Sequence, residues 1–448
     1  MALAMDWVQG NVVPGFHKDF QDFVFVRFDK ASPGPARQWL SGVLPNVQAS
    51  SAREVARFNR AFKAHRSRGA FPPTPTAWAN IAFSRQGLEA LGVPGWKTFP
   101  DDFLAAPTRR ARGLWRDDNA TWLWGGLDDA EPDAVLILGA DSLEALEDAR
   151  KKSGVDDGRV AVMAAYRGAT LGGGREHFGF RDGISQPVPD VLEETGTWPV
   201  DGQYVEPSKF VLQPGHMRGE PAWARNGSYA VFCRFVQDVD AFAQEMTRNA
   251  VTLVQDGIHH MTPDLLKAKV MGRWTDGTPL VDDYRGDPNG QICPLFAHTR
   301  KAFPRYNTDA APEEHRIIRR GIPFASSKDG KVERGMLFLA FQANISMQFA
   351  HVFGKWLNGQ FFPQAPRQEL LAHHGSGGTS PLRMPGVDPV TSTEKGTWLL
   401  HRPGSRTFSD GENDYAAFEM QRFVTLTALG YFFAPSIRAL QTVRQFTH

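Results

Sequence analysis

Apolar segments with strand-like and helix-like patterns alternate along both halves of the chain, and this alternation limits the possible folds more than any other sequence feature. In the first half the predicted elements are a strand at 20–28, a helix at 51–65, a strand at 135–139, a helix at 141–152 and a strand at 160–166. In the second half they are a strand at 228–236, helices opening at Asp238 and Thr262, a strand at 336–341, a helix near 345–357 and short strands at 423–426 and 431–433. The pattern predicts an α+β fold of two β/α halves, 1–205 and 206–448.

The charge balance and the cysteine content exclude several classes of protein. The 448 residues include 50 Lys and Arg and 49 Asp and Glu, a formal net charge of +1, so no excess charge favours binding to nucleic acid or to an anionic membrane. No run of about eighteen apolar residues predicts a membrane-spanning helix, and the N-terminal sequence lacks the pattern of a secretory signal, so we expect a cytoplasmic protein. The two cysteines, Cys233 and Cys293, cannot form a disulfide framework, and we expect them to be reduced.

An acidic turn, Gly179-Phe-Arg-Asp-Gly183, is the first candidate for chemistry. An Asp next to a Gly commonly caps its own backbone, and this structural role is the simpler interpretation of Asp182. Phe178, Phe180 and Ile184 flank the carboxylate and would place it in partly apolar surroundings, where reactive acids and bases occur. Asp182 is therefore a candidate acid or base.

A single histidine, His298, ends the segment Cys293-Pro-Leu-Phe-Ala-His298. A lone histidine beside apolar residues is most often a hydrogen-bonded core or surface residue, and no second His or Cys lies at zinc-binding spacing around it. As a ligand it suits the axial position of a haem, because the porphyrin supplies the other four donors. Arg300 and Arg305 follow closely and could pair with the carboxylates of such a cofactor.

Two adjacent arginines and an apolar strand complete the candidates. Arg319 and Arg320 would ordinarily face solvent, but the isoleucines that flank them could direct one guanidinium group into an apolar site. The strand at 336–341 contains Phe338 and Phe341, whose rings fit a protein core at least as well as the wall of a cofactor site.

Taken in order, these segments resemble those of the dye-decolourising peroxidases, haem enzymes of the dimeric ferredoxin-like superfamily. The turn at 179–183 is similar to the distal signature of that family, the run at 293–298 to its proximal-ligand segment, and the run at 319–324 to its distal-arginine segment. Further similar stretches lie at 9–12, 78–84, 224–228 and 431–436. The resemblance covers nearly the whole chain, and the long form without an export signal is similar to the larger bacterial and fungal subgroup.

This resemblance implies a fold and a set of site residues. The fold is two ferredoxin-like halves of the α/β-barrel type, with antiparallel sheets and flanking helices, and the cofactor is one haem b per chain. The implied site consists of Asp182 as distal acid and base, His298 as axial iron ligand, Arg319 as distal arginine, Arg305 as partner of a haem propionate, and Phe338 or Phe341 as distal haem wall.

The resemblance also implies an activity, namely reduction of hydrogen peroxide and one-electron oxidation of dyes, phenolics or similar aromatic reductants, by a monomer or a homo-oligomer. Two alternatives stay open: a haem-binding or iron-handling protein with incidental peroxidase activity, and a β/α protein that binds no haem. The sequence departs from the family pattern at one point. Gly430 stands where the family often has an acid, before Tyr431, that looks like the partner of the axial histidine. Another acid or a backbone carbonyl could take that place.

Overall fold

The computed structural model describes residues 3–67, 76–105, 122–125, 131–189, 204–305, 311–328, 330–363, 385–391, 396–402 and 415–443. Its strands are β1 (Phe20–Arg27), β2 (Ala77–Phe83), β3 (Ala134–Ala140), β4 (Ala161–Ala169), β5 (Val188–Pro189), β6 (Tyr204–Val205), β7 (Ser228–Gln237), β8 (Ile318–Arg319), β9 (Ile322–Lys328), β10 (Lys331–Gln342), β11 (Gly396–His401), β12 (Tyr415–Met420) and β13 (Val424–Ala434). Its α-helices are α1 (Gly34–Ala49), α2 (Ala52–Ser67), α3 (Arg85–Ala90), α4 (Asp101–Leu104), α5 (Leu143–Ser153), α6 (Val239–Gln255), α7 (Pro263–Met271), α8 (His298–Ala302), α9 (Phe349–His351), which continues as a π-helical turn Val352–Leu357, and α10 (Ile437–Val443).

The strands of the first half form an antiparallel sheet in the order β4-β1-β3-β2. Along the chain they occur as β1, helices, β2, β3, helix and β4, which is the split βαβ arrangement of a ferredoxin-like unit. Strands β1 and β3 lie in the middle of this sheet, and nearly all of their residues are buried. Helices α1 and α5 pack against the strands of this half and bury its outer surface.

The second half repeats the same order. Strands β13, β7 and β10 are neighbours, and both β8 and β9 pair with the far side of β10. The two halves meet where Phe433 of β13 pairs with Phe83 of β2, so that one antiparallel sheet runs through the molecule. The predicted α+β fold of two ferredoxin-like halves is confirmed. The domain boundary at residue 205 stays a prediction, since residues 190–203 lie outside the described residues.

A glutamine side chain from the N-terminal segment bridges the thin junction between the halves. Gln9 Nε2 donates to the carbonyl oxygens of Ile81 (2.9 Å) and Pro435 (2.8 Å), and Gln9 Oε1 accepts from the backbone N–H of Ile81 at 2.8 Å. The amide of one side chain therefore replaces ladder hydrogen bonds that β2 and β13 do not make directly. This gives a structural role to one of the stretches behind the family resemblance.

The sheet separates two apolar cores. Strand β4 at one end lies beside β9 at the other, so the sheet curves into a barrel whose interior, the inner core, is filled by aromatic rings such as those of Phe25, Phe232 and Phe341. The opposite face, the outer core, is covered by helices and includes Phe235 and, partly buried, Phe338. Among the described residues no helix combines the length and the apolar character that crossing a membrane requires.

Several element boundaries differ from the sequence-based predictions. The two short strands predicted at 423–426 and 431–433 are one strand, β13, which a bulge between Leu426 and Ala428 keeps in register with β7. The helix predicted from 345 begins only at Phe349. Ser142 rather than Asp141 caps α5, by accepting from the N–H of Ala145, because the Asp141 carboxylate is bound to Lys18 at 2.6 Å.

Candidate active site

A cavity bordered by residues of the outer core is lined by most of the candidate residues identified in the sequence. Asp182, His298, Arg305, Arg319 and Phe338 all line it. Arg319 comes from β8, Phe338 from β10 and His298 from the first turn of α8. The turn that carries Asp182 follows β4 of the first half, so that both halves of the chain contribute to the cavity.

His298 is held by an acid far away in sequence. Its Nδ1 lies 2.7 Å from Oδ2 of Asp388, whose side chain is fully buried. The same carboxylate accepts hydrogen bonds from the hydroxyl of Thr391 and from the N–H of Val390. Burial alone would raise the pKa of Asp388, but the charge of His298 and these hydrogen bonds together keep that pKa below its usual value.

Asp388 is therefore the acid that the sequence analysis did not locate. The absence of an acid before Tyr431 left the partner of His298 open, and the structure supplies another acid. The segment Pro-Gly-Val-Asp-Pro at 385–389 offered no recognisable signal. Asp388 reaches the histidine because its backbone N–H is bound to the carbonyl of Leu357 at the end of the π-helical turn.

The buried Lys301, one turn after His298, also fixes this loop. Its ammonium group donates to the carbonyl oxygens of Gly359 and Gly386, both at 2.8 Å, and to that of Phe362. Burial lowers the pKa of Lys301 to about 7, although the nearby charge of Asp388 acts in the opposite direction. The lysine thus connects α8 to the segment that follows the π-helical turn and to the loop that carries Asp388.

Asp182 faces the cavity from an exposed turn. Its Oδ1 accepts from the N–H of Gly183 at 2.6 Å, and its own N–H donates to the carbonyl of Gly174 at 2.8 Å. The carboxylate therefore does cap its own turn, as the simpler interpretation predicts, while it also lines the cavity. Phe178 is buried beneath the turn against Phe242, whereas Phe180 and Ile184 line the cavity together with Asp182. The partly apolar surroundings expected for the carboxylate therefore exist on its cavity side, without Phe178.

Glu176 organises this turn and was not singled out from the sequence. Its carboxylate accepts from the N–H groups of Phe178 and Phe180, each at 2.9 Å, and from the side-chain amide of Gln237 on β7 at 2.7 Å. Burial raises the pKa of Glu176, against the lowering effect of these hydrogen bonds. The only feature of the sequence that could have pointed to Glu176 is its position shortly after three glycines, in a stretch that matches no phosphate-binding motif.

Ile184 and Ser185, which directly follow the acidic turn, accept hydrogen bonds from arginine side chains that line the cavity. Ile184 accepts from Nη2 of Arg319 through its carbonyl oxygen at 2.8 Å, and the Ser185 hydroxyl accepts from Arg273 at 2.9 Å and from Arg305 at 2.7 Å. Ser185 adopts a left-handed backbone conformation with φ of 58°, which is uncommon for a residue other than glycine. Arg305 and Arg273 are thereby held side by side at the cavity.

Arg300 does not share this environment. It is buried and donates to the carboxylate and carbonyl of Asp287 and to the carbonyl of Cys293. The expectation that Arg300 could pair with cofactor carboxylates is therefore wrong, because its donors are used to fold the segment before His298. Cys293 and Cys233 are both buried free thiols, which agrees with the expected reduced state.

The two phenylalanines of β10 point to opposite faces of the sheet. Phe338 lines the cavity, whereas Phe341 is fully buried in the inner core. Side chains three positions apart on a strand lie on opposite faces, so the two could not both form the cavity wall. The expectation that Phe341 could do so is wrong, and Phe338 is the candidate that faces the cavity.

The residues of the cavity fit a haem. The bond between Nδ1 of His298 and Asp388 leaves Nε2 as the donor for iron, and a carboxylate on the other ring nitrogen is the usual support of a metal-binding imidazole. Phe338, Phe353 and Leu357 supply apolar wall, while Arg273 and Arg305 offer cations to carboxylates. Among the described residues no cluster of three His, Cys, Asp or Glu side chains could hold a bare metal ion.

Fold and site together define an α+β barrel protein with a cavity whose residues fit a haem. Two family models match the chain: the DyP dimeric alpha+beta barrel domain over residues 7–153 and the C-terminal domain of Dyp-type peroxidases over residues 174–370. The chain belongs to the dye-decolourising, or DyP-type, peroxidases, and it is an oxidoreductase that acts on peroxide.

Individual relatives agree with this assignment. The chain is 28% identical to Peroxidase 2 of Mycetinis scorodonius over 97% of its length and 86% of the relative's. It is 28% identical to a multifunctional dye peroxidase of Amycolatopsis, over 99% of this chain and 96% of that one. The crystal structure of a DyP-type peroxidase from Anabaena matches with a TM-score of 0.77 and 25% identity, over 98% of this chain and 94% of the other.

Proposed function

We propose that the protein reduces hydrogen peroxide and oxidises dyes, phenolics or similar aromatic reductants in one-electron steps, with one haem b per chain. The observation that carries this proposal is the hydrogen bond between His298 and the buried Asp388, in a cavity that Asp182 and Arg319 also line. A histidine that served only as a core residue would not need a buried carboxylate on one ring nitrogen and a cavity beside it.

Each side chain has a distinct role in this proposal. Bound haem supplies the iron that takes up the two oxidising equivalents of peroxide and returns them to reductants one at a time. Asp182, as a carboxylate, accepts a proton from one peroxide oxygen and delivers it to the other. Arg319, whose guanidinium group is fixed by the carbonyl of Ile184, stabilises the negative charge that develops as the O–O bond breaks.

The remaining residues would hold the cofactor. His298 would bind the iron through Nε2, and Asp388 orients its ring and increases its basicity. Arg305 would pair with a carboxylate of the haem, and Phe338 would form part of the wall. Arg273 shares the Ser185 hydroxyl with Arg305 and is a second candidate for the propionates.

The optical spectrum of the haem-replete protein, recorded before and after one equivalent of hydrogen peroxide, tests the proposal. A ferric haem spectrum that changes rapidly on addition of peroxide, and returns when a dye is added and bleached, is the expected result. Bound haem with a slow response to peroxide would instead support a haem-handling protein. Failure to bind haem would contradict both and leave Asp182 and His298 with structural roles.

The cytoplasmic location and the oligomeric state, monomer or homo-oligomer, stay predictions. Subcellular fractionation of the source cells tests the location, and light scattering of the purified protein tests the oligomeric state.

A further inference from the structure

We propose that Trp274 is the platform on which an anionic aromatic reducing substrate binds at the mouth of the cavity, with Arg181 neutralising its charge. The inference rests on the proposed function and identifies side chains that bind the reducing substrate at the same site. Trp274 lines the cavity, and its side chain is 37% exposed. Several large apolar side chains of the described residues are exposed, and Trp274 is the one tryptophan among them. An aromatic ring that is open to solvent and to the cavity is available for stacking.

The backbone around Trp274 forms a tight, hydrogen-bonded turn. The N–H of Trp274 donates to the carbonyl of Thr278 at 2.8 Å, and Gly277 donates to the carbonyl of Trp274 at 2.9 Å. Nη1 of Arg273 adds a bond to the carbonyl of Gly277 at 2.9 Å. Because the turn is closed on itself, the indole ring is presented at little cost in conformational entropy.

This turn is docked on the acidic turn that carries Asp182. The N–H of Arg181 donates to the carbonyl of Thr275 at 3.0 Å, and Nη1 of Arg175 donates to the same oxygen at 2.8 Å. Gly277 lies so close to Ile184 that a Cβ there would be 2.3 Å from its Cδ1. The platform therefore has a fixed position relative to Asp182.

The charges next to Trp274 favour an anion. Arg181 is exposed and Arg273 half-buried, and both line the cavity. The acids on this side are Asp182, bound to its own turn, Glu176, whose carboxylate accepts three hydrogen bonds, and Asp276, whose pKa is lowered mainly by the backbone N–H and hydroxyl of Thr278. A ring with a sulfonate or carboxylate group can stack on the indole while its anion lies near a guanidinium group.

Binding of 1-naphthol-4-sulfonate and of uncharged 1-naphthol to the haem-loaded protein tests the inference, because equilibrium binding requires no turnover. Trp274→Leu is expected to raise the Kd for both compounds by roughly three- to tenfold, the usual contribution of an aromatic pair. Arg181→Gln is expected to raise the Kd for the sulfonate alone. The KM of each variant for the same two compounds should change in parallel with the Kd.

Tyr204→Leu is the matched control, since Tyr204 is an aromatic residue of similar exposure, 40%, that does not line the cavity. It should leave both Kd values unchanged. Unchanged Kd values in Trp274→Leu would overturn the inference, and so would an equal effect of Arg181→Gln on both compounds. The rate of reaction with peroxide alone, measured on the wild type, reports independently whether the proposed function holds.

Discussion

Arg319 and Arg320 are consecutive in sequence, yet their guanidinium groups are bound on opposite sides of the chain. Arg319 donates to the carbonyl of Ile184 and lines the cavity. Arg320 donates to the carbonyl oxygens of Asn11, Val12 and Pro14 in the N-terminal segment, and burial lowers its pKa to about 9. One arginine thus serves the site, while its neighbour fastens the N-terminal segment to the sheet.

Substitution of the two arginines should separate activity from stability. Arg320→Met leaves several carbonyl groups without a donor, and we expect it to lower the free energy of unfolding by about 2 to 4 kcal/mol, since each unsatisfied buried polar group costs 1 to 3. Arg319→Leu should slow the reaction with peroxide by about 10²- to 10³-fold, the usual cost of a lost charge-stabilising donor. Urea denaturation and stopped-flow absorbance measure the two effects.

Arg320→Lys provides the control, because it keeps the charge but cannot reach all the carbonyl groups that the guanidinium group binds. It should be intermediate in stability. A loss of peroxide reactivity in Arg320→Met as large as that in Arg319→Leu, at a temperature where both are folded, would show that the assignment of roles is wrong.

Much of the fold could be predicted because the pattern of apolar residues repeats. The helices at Asp238 and Thr262 begin where their capping side chains predict, with bonds to Ala241 and Leu265. The sequence could not show that Gln9 completes the junction between β2 and β13, because such a bond depends on residues 72 and 426 positions away.

The candidate site was harder to predict from the sequence than the fold, because it too depends on residues that are far apart along the chain. His298 and Asp182 lie in recognisable segments, but Asp388 is 90 positions from its histidine and stands in a loop without a motif. Phe338 and Phe341 were equivalent in sequence and differ only in the face of β10 that they occupy. A local sequence pattern can identify candidate residues, but the tertiary structure determines which of these residues lie in contact.

Asp388→Asn should weaken the hold on haem. The substitution preserves size but removes the charge that orients and supports His298, and loss of such a partner typically costs about 10- to 100-fold in metal affinity. The rate of haem transfer to an excess of apomyoglobin measures the change. Asp287→Asn alters another buried carboxylate of the same region, so a matching increase there would indicate general loosening instead.

Stability should decline in mild acid because of a stacked histidine pair. The rings of His315 and His351 lie 3.7 Å apart, and burial, with the charges of His315 and Lys355, lowers the pKa of His351 from 6.5 to about 4. The unfolded chain therefore binds a proton between pH 6.5 and 4 that the folded chain does not, so that the stability falls as the pH drops through this range.

Urea denaturation of the wild type and of His351→Phe at pH 7 and pH 5 tests this expectation. The phenylalanine keeps a flat ring in the stack but cannot titrate, so the variant should lose less stability between the two pH values than the wild type. Equal losses in the two proteins would assign the acid sensitivity to other groups.

Asp182 can be tested for its two roles, as cap of its turn and as proton carrier. Asp182→Asn retains an oxygen that can accept from the N–H of Gly183, so the turn and the free energy of unfolding should be preserved. The amide cannot accept a proton, however, and we expect the reaction with peroxide to slow by about 10²- to 10⁴-fold, as for loss of a general acid–base group. Asp182→Ala removes both functions and should add a loss of about 1 kcal/mol in stability. If Asp182→Asn reacts with peroxide as fast as the wild type while Asp182→Ala is destabilised, the carboxylate serves only as a cap.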